Sequence, residues 1–127
     1  MGDSPSILVV EDEVLLLLIL ESALEEGGFK VIVASSAEKA IQMLAQKSAL
    51  RAVVTDVNLG KDKSGWDVAK HAREIDPEIA VIYLTGHGEN DWASYGVPKS
   101  VLLTKPFALD DLLTAVSYLL NDSSQQG

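Results

Sequence analysis

At 127 residues, 47% of them hydrophobic, the chain is long enough for one domain with a buried core and too short for a receptor module joined to an effector module. Its formal net charge of -9 sets it against the phosphates of nucleic acid and suits a cation site or a basic partner. With no cysteine there is neither a disulfide framework nor a thiolate metal site, and the longest apolar run, residues 14–20 between Glu13 and Glu21, is far short of the roughly 20 residues that span a bilayer. Met1 to Ser6 is polar and lacks the basic-then-apolar pattern of a secretory signal, so the expectation is a soluble cytoplasmic protein with no membrane contact.

Ile7-Leu8-Val9-Val10 is a continuous apolar run and reads as a strand buried on both faces, with Glu11-Asp12-Glu13 at its C-terminal end. Residues 14–26 are helical by composition, and Gly27-Gly28 supplies the stop. Leu16, Ile19, Leu20, Ala23 and Gly27 form the stripe expected to face the core, leaving Val14, Leu15, Leu17 and Leu18 as surplus apolar surface. That surplus is either extra packing or the contact surface for a partner or a second copy of the chain. Residues 29–34 give a second strand, Ser35-Ser36-Ala37-Glu38 a cap, and Ala40, Ile41, Leu44 and Ala45 the stripe of a second helix.

Ala52-Val53-Val54-Thr55-Asp56 is the third strand and ends abruptly in a carboxylate. A Gly, Lys, Asp and Ser loop follows, then a helix over residues 66–75 with Val68, Ala69, Ala72 and Ile75 at helical spacing, ended by Asp76-Pro77. Residues 80–84 form a fourth buried strand that runs into Thr85-Gly86-His87-Gly88. Residues 90–95 carry only a weak helical pattern flanked by glycines, which predicts the least rigid region. Val101-Leu102-Leu103-Thr104 is the fifth strand, closed by Lys105-Pro106. Leu109, Leu112, Leu113, Val116, Leu119 and Leu120 line a last helix, before a polar tail at 121–127 that is expected to fray. One domain over residues 1–127 results, with an ordered core of about 6–120.

Strands alternating with helices predict an α/β fold, a parallel sheet covered by helices on both faces and joined by right-handed crossovers. In such a sheet every strand ends on the same edge, so Glu11, Asp12, Asp56, Thr85 and Lys105 converge although they are far apart in sequence. An Asp at a strand tip, taken alone, caps a loop more often than it does chemistry. Clustered carboxylates change that, because each pair repels by on the order of 4 kcal/mol at a protein surface and calls for a cation. The donors are hard oxygens, which favours Mg²⁺ or Mn²⁺ over zinc or copper. Cation, lysine and hydroxyl together suit a phosphoryl group that Asp56 attacks in line.

The ordered set of Glu11-Asp12, Asp56, Thr85 and Lys105-Pro106 resembles the response-regulator receiver domain of two-component signalling, over roughly residues 6–120. The resemblance implies a flavodoxin-like strand order 2-1-3-4-5 and a phosphoryl group accepted on Asp56 from a sensor histidine kinase or a phosphotransfer protein. It implies that Asp12, Asp56 and the backbone carbonyl of Asn58 bind Mg²⁺, that Glu11 acts through water, and that Thr85 and Lys105 grip the phosphoryl oxygens. Two positions depart from the family pattern: Gly60 stands where proline is usual, in a loop one residue longer, and Leu102 stands where a switch Tyr or Phe is usual. Gly-for-Pro loops and Lys-Pro-Phe occur among stand-alone single-domain regulators, which implies a readout by contact with an unknown downstream protein. Phe107 is expected to anchor the last helix.

His87 is open between an exposed loop residue and a group that tunes hydrolysis or senses pH. His71 reads as surface, and Trp66 and Trp92 as packing. A haloacid-dehalogenase-type phosphohydrolase also uses a strand-end Asp and Mg²⁺, but it wants Asp-x-Asp after the first strand, whereas Asp56-Val57-Asn58 follows the third and lacks the second acid. A nucleotide-binding module lacks its glycine-rich loop here. A degenerate receiver that binds partners without phosphorylation would not need the full set of acids, threonine and lysine.

Overall fold

In the computed structural model, residues 5–46, 49–60, 63–86 and 89–126 are described. Strands and helices alternate as β1 (Ser6–Val10), α1 (Val14–Glu26), β2 (Lys30–Ala34), α2 (Ala37–Gln46), β3 (Leu50–Asp56), α3 (Gly65–Ile75), β4 (Ala80–Thr85), α4 (Glu89–Tyr95), β5 (Val101–Thr104) and α5 (Leu109–Gln126). The strands form one parallel sheet in the order β2-β1-β3-β4-β5, as the sequence led one to expect.

Because successive side chains on a strand point to opposite faces, each buried strand feeds two cores. Ile7, Val9, Val54, Ile82 and Leu84 meet Leu17, Leu20 and Leu24 of α1 and Leu112, Val116 and Leu120 of α5 on one face. On the other, Leu8, Val10, Val53, Val81 and Tyr83 meet Ala37, Ala40 and Leu44 of α2 and Val68, Ala69 and Ala72 of α3. Phe107 packs with the first of these cores, the anchoring role expected of it. Trp66 and Trp92 pack against the second, also as expected.

Local capping follows the chemistry of the sequence. The Ser36 hydroxyl accepts the Lys39 N–H at 3.1 Å to start α2, and Asp67 accepts the Ser64 N–H at 2.9 Å at the start of α3. The end of α1 is closed by Gly28 N–H to Glu25 and Phe29 N–H to Leu24.

Three expectations are corrected. The buried stripe of α1 is Leu17, Leu20, Ala23 and Leu24, while Ile19 is half exposed and Leu16 only partly buried. Seven consecutive apolar residues carry no amphipathic period, so the sheet and α5 decide which face goes inward. Ile75, Ala45 and Leu109, placed on inward stripes from their spacing, are exposed, because each sits at or near a helix end where the stripe has run past the sheet. Finally, α5 continues to Gln126 rather than stopping at Leu120, since no glycine or proline intervenes to break it.

Candidate functional site at the C-terminal edge of the sheet

The strand register assembles the site. Val10 lies opposite Thr55, so Glu11 follows beside Asp56, and Asp56 lies opposite Leu84, so Thr85 follows next. Thr85 lies opposite Thr104, which delivers Lys105 to the same edge. The Lys105 N–H donates to the Thr85 carbonyl at 2.7 Å and ties the ends of β4 and β5 together.

Asp56 is 6% exposed. The Lys105 ammonium donates to its Oδ2 at 3.0 Å and reaches Oε1 of Glu11 at 3.5 Å. Glu11 is almost wholly buried at the tip of β1, where its Oε2 accepts the Glu13 N–H at 3.1 Å. Asp12 is exposed at the mouth, and one carboxylate oxygen from each of Glu11, Asp12 and Asp56 lies within 4.8 Å of the others. Asn58, also exposed, donates its backbone N–H to Asp56 Oδ1 at 3.2 Å, which holds the carboxylate and the loop after it in one arrangement. Thr85 is buried at the end of β4, on the same edge. His87 lies outside the described residues. His71 is half-buried on α3, its Nδ1 3.0 Å from the Asp67 carbonyl, away from the site.

Burial pushes the Glu11 carboxyl up to about 7, with the negative charge of Asp56 adding to it and the Glu13 N–H and Lys105 ammonium opposing. Lys105 is pushed down by its own partial burial, but the hydrogen bond to Asp56 and the charges of Asp56 and Glu11 outweigh that and leave it raised. Ionised together, three carboxylates against one ammonium leave two negative charges uncompensated. Hard oxygen donors with surplus negative charge at an exposed mouth fit a hydrated Mg²⁺.

Two features of the site were not anticipated from the sequence. Gly65 is buried against the end of β3: its N–H donates to the Val57 carbonyl at 2.9 Å, and a Cβ there would run into the Asp56 carbonyl oxygen. Gly60, already a departure from proline in the sequence, has φ +98, a conformation closed to proline and not foreseen there. In the sequence Gly60 stands out only as a departure from proline and Gly65 only as the end of a loop, and neither the positive φ of the one nor the close backbone approach of the other can be read from residue type alone.

The family model described as the response regulator receiver domain matches residues 7–117. The acid tolerance regulatory protein ActR of Sinorhizobium medicae (strain WSM419) is 35% identical over 117 residues, covering 91% of this chain and 59% of that protein. The response regulator protein TmoT of Ectopseudomonas mendocina is 30% identical over 129 residues, covering 99% and 58%. The chain thus spans about three fifths of the length of these curated relatives. A crystal structure of a response regulator receiver protein from Sinorhizobium medicae WSM419 is 47% identical, with a TM-score of 0.92 over 95% of this chain and 98% of that one. A receiver domain protein from Clostridium thermocellum is 31% identical, with a TM-score of 0.86 over 97% and 99%.

Proposed function

Since the chain belongs to the response regulator receiver family and is a receiver domain of two-component signalling, we propose that it accepts a phosphoryl group on Asp56 from a phosphohistidine. The donor is the histidine of a sensor kinase or a phosphotransfer protein. The observation that carries this reading is the Asp56 carboxylate at the tip of β3, 3.0 Å from the Lys105 ammonium and inside the acid cluster with Glu11 and Asp12.

An Asp56 carboxylate oxygen forms the new bond to phosphorus while the bond from phosphorus to the donor imidazole nitrogen breaks. The electron pair stays on that nitrogen. Lys105 and the Thr85 hydroxyl stabilise the charge on the phosphoryl oxygens, and the Asn58 N–H keeps Asp56 in an attacking orientation. Asp12, Asp56 and the Asn58 carbonyl would hold Mg²⁺, or Mn²⁺ in its place, with Glu11 acting through water, and the bound ion would supply positive charge to offset that of the carboxylates and the phosphoryl group. Release by water returns free Asp56, so the domain acts as a switch and turns over no separate substrate.

Its output is contact with a downstream protein rather than with nucleic acid, which the charge of -9 repels. A cytoplasmic location fits this role, and no described helix is long and apolar enough to cross a membrane. The exposed leucines of α1 are the surface for a protein partner or a second copy.

Incubation with Mg²⁺ and acetyl phosphate, read by intact mass, tests the reading. Wild type gains one phosphoryl group and Asp56→Asn does not. An unchanged wild-type mass, or an equal gain in Asp56→Asn, removes Asp56 as the acceptor.

A further inference from the structure

Position 102, where an aromatic residue would be expected to couple the site to the far side of the sheet, is leucine, yet an aromatic ring stands beside it. Tyr83 on β4 is the direct register partner of Leu102, and it is fully buried. It lies two residues before Thr85 and therefore on the same face of the strand. Its hydroxyl accepts the Val97 N–H at 3.1 Å, in the segment 96–100 that joins α4 to β5. Burial pushes the phenol up, so it stays neutral at ordinary pH and keeps that bond.

The same ring touches the phosphoacceptor side. The Trp66 ring, in the first turn of α3, lies 4.5 Å from the Tyr83 ring, and its neighbour Gly65 is pressed on the Asp56 backbone. Tyr95, the last residue of α4, lies 6.3 Å from Trp66. The segment itself is knit into a unit. Trp92 Nε1–H donates to Ser100 Oγ at 2.9 Å, and that hydroxyl donates to the Val97 carbonyl at 2.7 Å. The Arg73 guanidinium on α3 donates to the carbonyls of Ile79 at 2.8 Å and Pro98 at 2.6 Å. A phosphoryl group on Asp56 competes for the Lys105 ammonium that the carboxylate holds at 3.0 Å, and Trp66, next in the chain to Gly65, is coupled to any shift of the backbone at Asp56 and Gly65.

We propose that Tyr83 is the positioning residue through which the state of Asp56 reaches the segment 96–100, by way of Gly65 and Trp66 on one side and the Tyr83 hydroxyl to Val97 on the other, in place of an aromatic side chain at position 102. This rests on the reading of Asp56 as phosphoacceptor.

The test compares wild type, Tyr83→Phe, Trp66→Leu and Leu102→Val, each with and without Mg²⁺ and acetyl phosphate. Intact mass scores phosphorylation, and amide hydrogen exchange of peptides covering 96–100 scores the response. In wild type, phosphorylation changes exchange there by about fivefold, the factor carried by one ordinary hydrogen bond. Tyr83→Phe and Trp66→Leu gain the phosphoryl group as wild type does but lose most of that change, whereas Leu102→Val keeps it. Tyr83→Phe preserves the ring and removes only the hydroxyl, while Trp66→Leu leaves the hydroxyl bond and removes the ring contact, so the two probe the route independently. A full response in phosphorylated Tyr83→Phe overturns the coupling. So does an equal rise in exchange in both states, the sign of a merely structural hydroxyl, and so does a response lost in Leu102→Val alone. A wild type that gains no mass overturns the phosphoacceptor reading and the coupling with it, whereas normal mass gain with an unaltered segment 96–100 overturns the coupling alone.

Discussion

Glu11 is the residue whose chemistry the fold changes most. Its carboxyl sits at about 7 when folded against an ordinary value of 4.5, chiefly because it is buried. Between those values the folded chain holds more protons than the unfolded one, so stability falls as pH rises from about 4.5 to about 7 and levels off above. In metal-free buffer the melting temperature is expected to drop across that window, and Glu11→Gln, which cannot titrate, should flatten the drop. A wild-type melting temperature that climbs through the same window would contradict the assignment. The acids, Thr85 and Lys105 were legible in the sequence because each ends an apolar run, and a parallel sheet puts such ends together. Tyr83 and Arg73 were not, because each looks like an ordinary strand or helix residue until its partner, Val97 or Pro98, is brought beside it by the α4 to β5 connection.

At the scale of elements, α1 and the start of α3 are where sequence pattern and packing part company. The helix α1 buries Leu17, Leu20 and Leu24 and leaves Val14, Leu15, Leu18 and Ile19 in solvent, beside a groove of about 360 Å³ lined in part by Leu18, Ile19 and Leu109. Its flanks carry Asp12, Glu13, Glu21, Glu25 and Glu26 and no basic residue. Leu15→Ser with Leu18→Ser is therefore expected to change unfolding free energy by no more than about 0.5 kcal/mol per site while weakening any association that sedimentation detects. A strictly monomeric wild type, phosphorylated or not, would remove the second copy as occupant of this face. Gly65 behaves in the opposite way. A methyl group there meets backbone rather than a movable side chain, so Gly65→Ala should cost about 2–3 kcal/mol in a denaturant titration. It should also lower phosphorylation at Asp56, and a variant as stable as wild type would show that α3 can back away from β3.

For the whole molecule, one sheet edge gathers three carboxylates in a chain that already carries a charge of -9. A divalent cation binding the folded state alone must stabilise it, by about 2.7 kcal/mol at a hundredfold excess over its dissociation constant. A rise in melting temperature with Mg²⁺, lost in Asp12→Asn, is the expected outcome, and an equal rise in that variant would point to nonspecific screening. By itself the sequence determined the alternation of strands and helices, the strand order through the family it resembles, and the identity of the edge residues. Those features are local, since hydrophobic runs, caps and breakers act within a few residues and the right-handed crossover leaves little choice of topology. Only the tertiary structure decided which face of an all-apolar α1 turns inward, and that Tyr83 rather than residue 102 presents an aromatic ring to Trp66 and a hydroxyl to Val97. Each of these depends on contacts or solvent exposure set by the packed sheet and helices, which no short window of the chain contains.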